Sequence, residues 1–122
     1  MPWSYSQSSG SMLIDGTFVA TGYSGHEEGL NNPALQSDPG IGPIPQGTYT
    51  IGPAFDDPGG KGPVVMRLTP DPSNQMFGRD GFMIHGDTAA RDHEASHGCI
   101  ILDRPYRQQI ATSADRVLVV TP

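Results

Sequence analysis

Apolar residues in this chain come in short bursts, each closed off by turn-forming residues. Met12-Leu13-Ile14-Asp15 and residues 17–23 flank Asp15-Gly16, a pair suited to a tight hairpin because glycine takes positive φ at no steric cost. Gly47-Thr48-Tyr49-Thr50-Ile51 alternates and predicts a strand, punctuated by Pro43-Ile44-Pro45 before it and Gly52-Pro53 after it. Further strands are predicted at 64–68, closed by Pro70, at 82–85, opened by Arg79-Asp80-Gly81, and at 100–102. Residues 117–120 are continuously apolar, the pattern of a strand buried on both faces. One short helix is predicted near 104–113: Asp103 can cap it, Pro105 lies in its first turn, and no breaker interrupts it. Residues 88–95 predict a helical turn. Residues 24–46 hold Gly, Pro, Asn and Ser with little periodicity, and loops of that length tend to be functional or mobile. Trp3 and Tyr5 are expected to pack on the core and tie down the N-terminus.

Composition narrows the class. A chain of 122 residues suits one domain, 1–122, and its 16 glycines and 12 prolines suit a compact, turn-rich, mainly β fold, either a β-sandwich or a mixed sheet. No stretch approaches the roughly 20 apolar residues of a membrane helix. The net charge of −6 is uneven: residues 1–60 carry Asp15, Glu27, Glu28, Asp38, Asp56 and Asp57 but no Lys or Arg. That half cannot neutralise phosphates, which argues against nucleic acid. The first ten residues have neither a basic nor an apolar leader segment, so the expectation is cytoplasmic synthesis without a signal peptide.

Reactive groups are concentrated. His85, His93, His97 and the single cysteine, Cys99, fall within fifteen residues. His93-Glu94-Ala95-Ser96-His97 matches H-E-x-x-H, in which two histidines one helical turn apart bind zinc and the Glu activates water. That chemistry needs a stable helix, and Gly98 ends any helix at once. His85, Cys99 or Asp103 would have to supply a third ligand. The competing reading is a thiol nucleophile. Gly98 permits a sharp turn, the Gly98 and Cys99 amides can converge on an oxyanion, and His85 at a strand end can act as base. From the residues alone, a buried cysteine among satisfied histidines stands beside both. Gly40-x-Gly42 has Pro43 next and no helix behind it, so it fails as a phosphate loop.

The order Phe82-Met83-Ile84-His85-Gly86, then Ser96-His97-Gly98-Cys99-Ile100, closely resembles the L,D-transpeptidase motif. Residues 43–51 are similar to that family's Pro-x-Gly-x-Phe/Tyr-x-Ile strand. Trp3-Ser4-Tyr5-Ser6-Gln7, Asn31-Asn32-Pro33 and the short length look like a narrower group, the type VI secretion effectors with an L,D-transpeptidase-like domain. The resemblance implies that Cys99 is the acylated nucleophile, His85 its base, and that His97, Ser96 and Gly98 shape the turn and oxyanion hole. It implies no cofactor. The substrate would be a peptidoglycan tetrapeptide stem, attacked at the diaminopimelate carbonyl before the terminal D-Ala. The thioester would pass to water, a free D-amino acid or another stem. Delivery into a rival's periplasm by the type VI apparatus and a matching immunity protein are implied as well. Two departures favour L,D-carboxypeptidase or D-amino-acid exchange over cross-linking: Ile101 replaces the usual Arg or Asn, and ten residues separate His85 from Ser96. Arg79 would either bind stem carboxylates or sit solvated in a turn. Asp87 would either orient His85 or cap a helical turn. Outside that class stand a zinc hydrolase using His93, Glu94 and His97, and a non-enzymatic cell-wall binding module.

Overall fold

The computed structural model describes residues 2–57, 61–87 and 95–122. Its strands are β1 (Trp3–Ser6), β2 (Ser11–Ile14), β3 (Thr17–Thr21), β4 (Tyr23–Ser24), β5 (Gly47–Ile51), β6 (Phe55–Asp57), β7 (Gly62–Pro70), β8 (Met83–His85), β9 (Ile100–Ile101) and β10 (Val117–Thr121). The one α-helix among the described residues, α1 (Arg104–Thr112), packs on β7. The sheet runs β3-β2-β1-β10-β5-β7-β8-β9-β4, with β6 beside β7. The strands at its two ends, β3 and β4, are consecutive in the chain across Gly22, so the sheet nearly closes on itself. The fold is the expected mainly β, mixed architecture, with parallel pairing at β1–β10 and β8–β9.

Local chemistry accounts for most elements. Asp15 (φ 55°) and Gly16 (φ 79°) form the two-residue turn of the β2–β3 hairpin, whose positive φ values match the twist of the strands. On β5, Tyr49 and Ile51 face the core while Thr48 and Thr50 face out. Trp3 and Tyr5 are fully buried, because β1 lies in parallel register on β10. That strand depends on a partner over a hundred residues away, so its polar-rich sequence does not announce it. β10 departs from the expectation of burial on both faces. Leu118 and Val120 are buried, but Val117 is 40% exposed and Val119 half-buried, since the strand's second face borders solvent. The 24–46 loop contains single 3-10 turns at Glu27–Gly29 and Pro33–Leu35, and Asn32 caps the second by accepting the Ala34 amide. The helical turn expected at 88–95 lies, apart from Ala95, outside the described residues.

Candidate active site

The site is built on the parallel pair β8–β9. Ile84 stands opposite Ile100 and His85 opposite Ile101, so Met83 is level with Cys99. Side chains alternate across a strand. One face therefore presents Ile84 and Ile100, both 0% exposed in the core. The other presents Met83, His85 and Cys99. His85 and Cys99 line one cavity of about 290 Å³ with Lys61, Asp80, Phe82, Ala95 and His97.

The imidazole has a defined tautomer. His85 Nδ1 lies 2.8 Å from the Gly86 carbonyl oxygen, which can only accept, so Nδ1 carries the proton and Nε2 holds the lone pair. Burial lowers the His85 pKa, against the Gly86 bond and the Asp57 carboxylate, which raise it; Lys61 and Arg107 add to the lowering. Burial also raises the Cys99 pKa above the ordinary thiol range, partly offset by the Met83 amide and by the charges of Lys61 and Arg79. Both shifts favour the uncharged forms, a thiol and a neutral imidazole. The thiol sulfur lies 3.9 Å from the Gly81 carbonyl oxygen.

The turn before Cys99 is held from outside by its polar groups. Buried Ser96 donates Oγ–H to the Cys99 carbonyl at 2.6 Å and accepts the amides of Gly25 at 2.8 Å and Gly98 at 3.1 Å. Ser24 Oγ donates to the Gly98 carbonyl at 2.9 Å, and His26 Nδ1 donates to the Ser96 carbonyl at 2.9 Å. Gly98 has φ +132°, and a Cβ there would stand 2.6 Å from Arg79 Nη2 and 2.7 Å from Phe82 Cε1. Only glycine fits that geometry without displacing a neighbour.

The other expected site residues are placed as follows. His97 is exposed on the cavity rim; its Nδ1 donates to the Gly40 carbonyl at 2.9 Å, and its ring meets His26 edge-on at 4.7 Å. Arg79 is 8% exposed and donates to the carbonyls of Gln36, Gly42, Pro43 and His97. It fastens the 36–43 segment to the Ser96–Gly98 turn, and is therefore neither a solvated turn residue nor a guanidinium facing open solvent. Asp87 accepts the Tyr23 hydroxyl at 2.6 Å, and that oxygen accepts the Ala95 amide. His93 and Glu94, the first residues of the zinc pattern, lie outside the described residues. Ile101 sits beside His85 in register and next to Tyr23 on β4, which puts an apolar neighbour against the imidazole.

The Tlde1 domain family matches residues 19–121. The chain belongs to that family. Tlde1 domains group type VI secretion effectors of the L,D-transpeptidase kind, enzymes that modify peptidoglycan, and the chain stands in that effector branch. No curated protein matches it in sequence. Among the described residues no helix is long and apolar enough to cross a membrane.

In this Tlde1 domain, Ser24 and His26, which hold the Ser96–Gly98 turn, and Lys61, which lines the cavity, belong to none of the motifs. Ser24 and His26 belong to the loop of 24–46, and only its fold over the Ser96 turn brings them near Cys99. Lys61 precedes β7 and reaches the cavity because β7 pairs with β8. A single histidine in a glycine-rich loop was the one available signal, and it is a weak one.

Proposed function

We propose that Cys99 is the nucleophile and His85 the general base of an acyl transfer on peptidoglycan tetrapeptide stems, with L,D-carboxypeptidase activity, D-amino-acid exchange or both as outcome. The observation that carries this reading is the shared cavity and shared sheet face of His85 and Cys99, with Nε2 of the imidazole left to accept a proton. Nε2 takes the thiol proton as Sγ attacks the diaminopimelate carbonyl carbon. The carbonyl oxygen becomes the oxyanion. Its stabilisation falls on the Cys99 amide, because the Gly98 amide is committed to Ser96 Oγ. Collapse breaks the C–N bond, and His85 returns the proton to the departing D-Ala nitrogen. Water or a D-amino acid then attacks the thioester, with Nε2 taking its proton and Cys99 leaving as thiol. Loss of donor stems deprives the target wall of cross-links, which suits a toxin acting in a periplasm, with an immunity protein and the secretion apparatus as partners.

The test is incubation with purified tetrapeptide muropeptides. The wild-type protein is expected to release D-Ala, and Cys99→Ala is not. Equal release by both ends the reading. In cells, harm is expected when the protein is sent to the periplasm; equal toxicity from cytosolic expression overturns the wall as its target.

A further inference from the structure

Lys61 lines the Cys99 cavity, and its backbone is tied to the peptide that orients the base. Its amide donates to Asp57 Oδ2 at 3.2 Å, and its carbonyl accepts the Gly86 amide at 3.4 Å. The Gly86 carbonyl in turn accepts His85 Nδ1. Two residues on, Arg107 donates to the carbonyls of Pro63 and Val64 at 2.9 and 3.0 Å and fixes the start of β7. The ammonium therefore springs from a rigid root beside the imidazole.

Among the described residues, the two guanidinium groups whose charge reaches Cys99 or His85 are already occupied. Arg79 is consumed by four backbone carbonyls and Arg107 by three, including Leu102. Among the described residues no carboxylate lies within ion-pair distance of the Lys61 ammonium. The acidic residue on the same cavity wall, Asp80, stands where the cavity meets a neighbouring cleft lined by Pro39, Gly40 and Gly78, which Lys61 does not line. Among the described residues that line the cavity, an anion thus meets one ammonium, Lys61, and one carboxylate, Asp80.

We infer that Lys61 recognises a carboxylate that the acyl donor carries close to the bond attacked by Cys99. This rests on the reading of Cys99 as nucleophile and deepens it by naming the group that positions the donor. A compact ammonium on a flexible stem binds such a group as a point charge. The charge of Lys61 also acts on both Cys99 and His85, which is consistent with its place in the wall of their cavity.

Cys99 is the only cysteine, so thiol alkylation reports on this cavity alone. In that reaction the sulfur forms a bond to carbon and iodide leaves with the bonding pair. The measured quantity is the rate ratio of iodoacetate to iodoacetamide, in which the thiolate fraction cancels. The ratio is expected to fall about tenfold in Lys61→Met and Lys61→Gln and to be largely kept in Lys61→Arg, as for loss of a charge-assisted contact. An unchanged ratio in variants that keep the wild-type circular dichroism overturns the inference. With muropeptides, Lys61→Met is expected to raise KM about ten- to hundredfold for the free stem. It is expected to leave KM unchanged for whichever stem, amidated at the terminal D-Ala or at diaminopimelate, has lost the recognised carboxylate. Equal losses on all three stems overturn the inference. A Lys61-dependent alkylation ratio without D-Ala release by wild type keeps the anion site and removes the stem reading. D-Ala release that is indifferent to Lys61 does the reverse.

Discussion

The β8–β9 seam and the 24–46 loop both serve Cys99, and they do so by different physics. The seam places His85 and Cys99 by strand register, through backbone ladder bonds and two buried isoleucines on its back face. The loop places the Ser96–Gly98 turn through separate side-chain hydrogen bonds from Ser24, His26 and, reaching across from 79, the Arg79 guanidinium. Register is cooperative and tolerates a changed side chain. A clamp of discrete polar bonds fails one bond at a time, and each buried group left unpaired costs about 1–3 kcal/mol. Substitutions in the seam should therefore remove chemistry and spare the fold, whereas substitutions in the clamp should weaken both together.

The sharpest break of that comparison is His85→Gln. D-Ala release is expected to fall about 10²–10⁴-fold, the usual worth of a general base, with the thermal midpoint within a few degrees of wild type. A variant that unfolds instead would make the seam a structural device like the clamp. The pH profile sharpens the same point. Burial lowers the His85 pKa, so the base form persists below pH 6.5 and activity is lost only as pH falls through that lowered value. The acid limb of kcat/KM is expected with its midpoint below 6.5. Burial raises the Cys99 pKa, so iodoacetamide alkylation should rise with a midpoint above the ordinary thiol value of about 8.5. A thiolate plateau at pH 6 would mean a preformed ion pair and sink the neutral-pair mechanism.

This division also explains what could be read without coordinates. The seam is local: Phe82 to Gly86 and Ser96 to Ile100 are two short motifs whose alternation fixes which face each side chain takes, and the meeting of His85 and Cys99 at one sheet edge was legible from them. The Asp15-Gly16 hairpin, β5 and α1 were legible for the same reason, since turn residues and period carry their own geometry. β1 was not, because its pairing with β10 joins the two ends of the chain. Nor was β6, whose Phe-Asp-Asp has no strand character of its own and lies on β7. The clamp was illegible because a guanidinium donating to carbonyls 36 to 43 residues back leaves no trace in composition or period.

Arg79→Met tests the clamp at its strongest point. Removing donors from four carbonyls is expected to cost about 2–4 kcal/mol of stability, read from urea unfolding, together with about a tenfold loss of D-Ala release. A raised KM at unchanged stability would instead assign Arg79 to substrate carboxylates. Gly98→Ala should fall in the same range: it combines φ +132° with contacts of 2.6 and 2.7 Å to Arg79 and Phe82, so the turn must move.

His26→Ala is expected to have the smallest effect and is the finest discriminator. It deletes one 2.9 Å bond to the Ser96 carbonyl, one edge contact to His97 and a 3.7 Å approach to the exposed Glu27 carboxylate, while the bonds from Ser24, Ser96 and Arg79 remain. A loss of about 1 kcal/mol and a two- to fivefold drop in D-Ala release are expected. His97→Ala deletes the other ring and its 2.9 Å bond to Gly40. Because the rings touch at 4.7 Å, the double variant should lose less than the two single losses added, with a coupling of about 0.5–1.5 kcal/mol. Strict additivity would mean that His97 acts on the cavity independently of the loop. The exposed histidine would then belong with the reacting pair on the seam, and the clamp would end at His26.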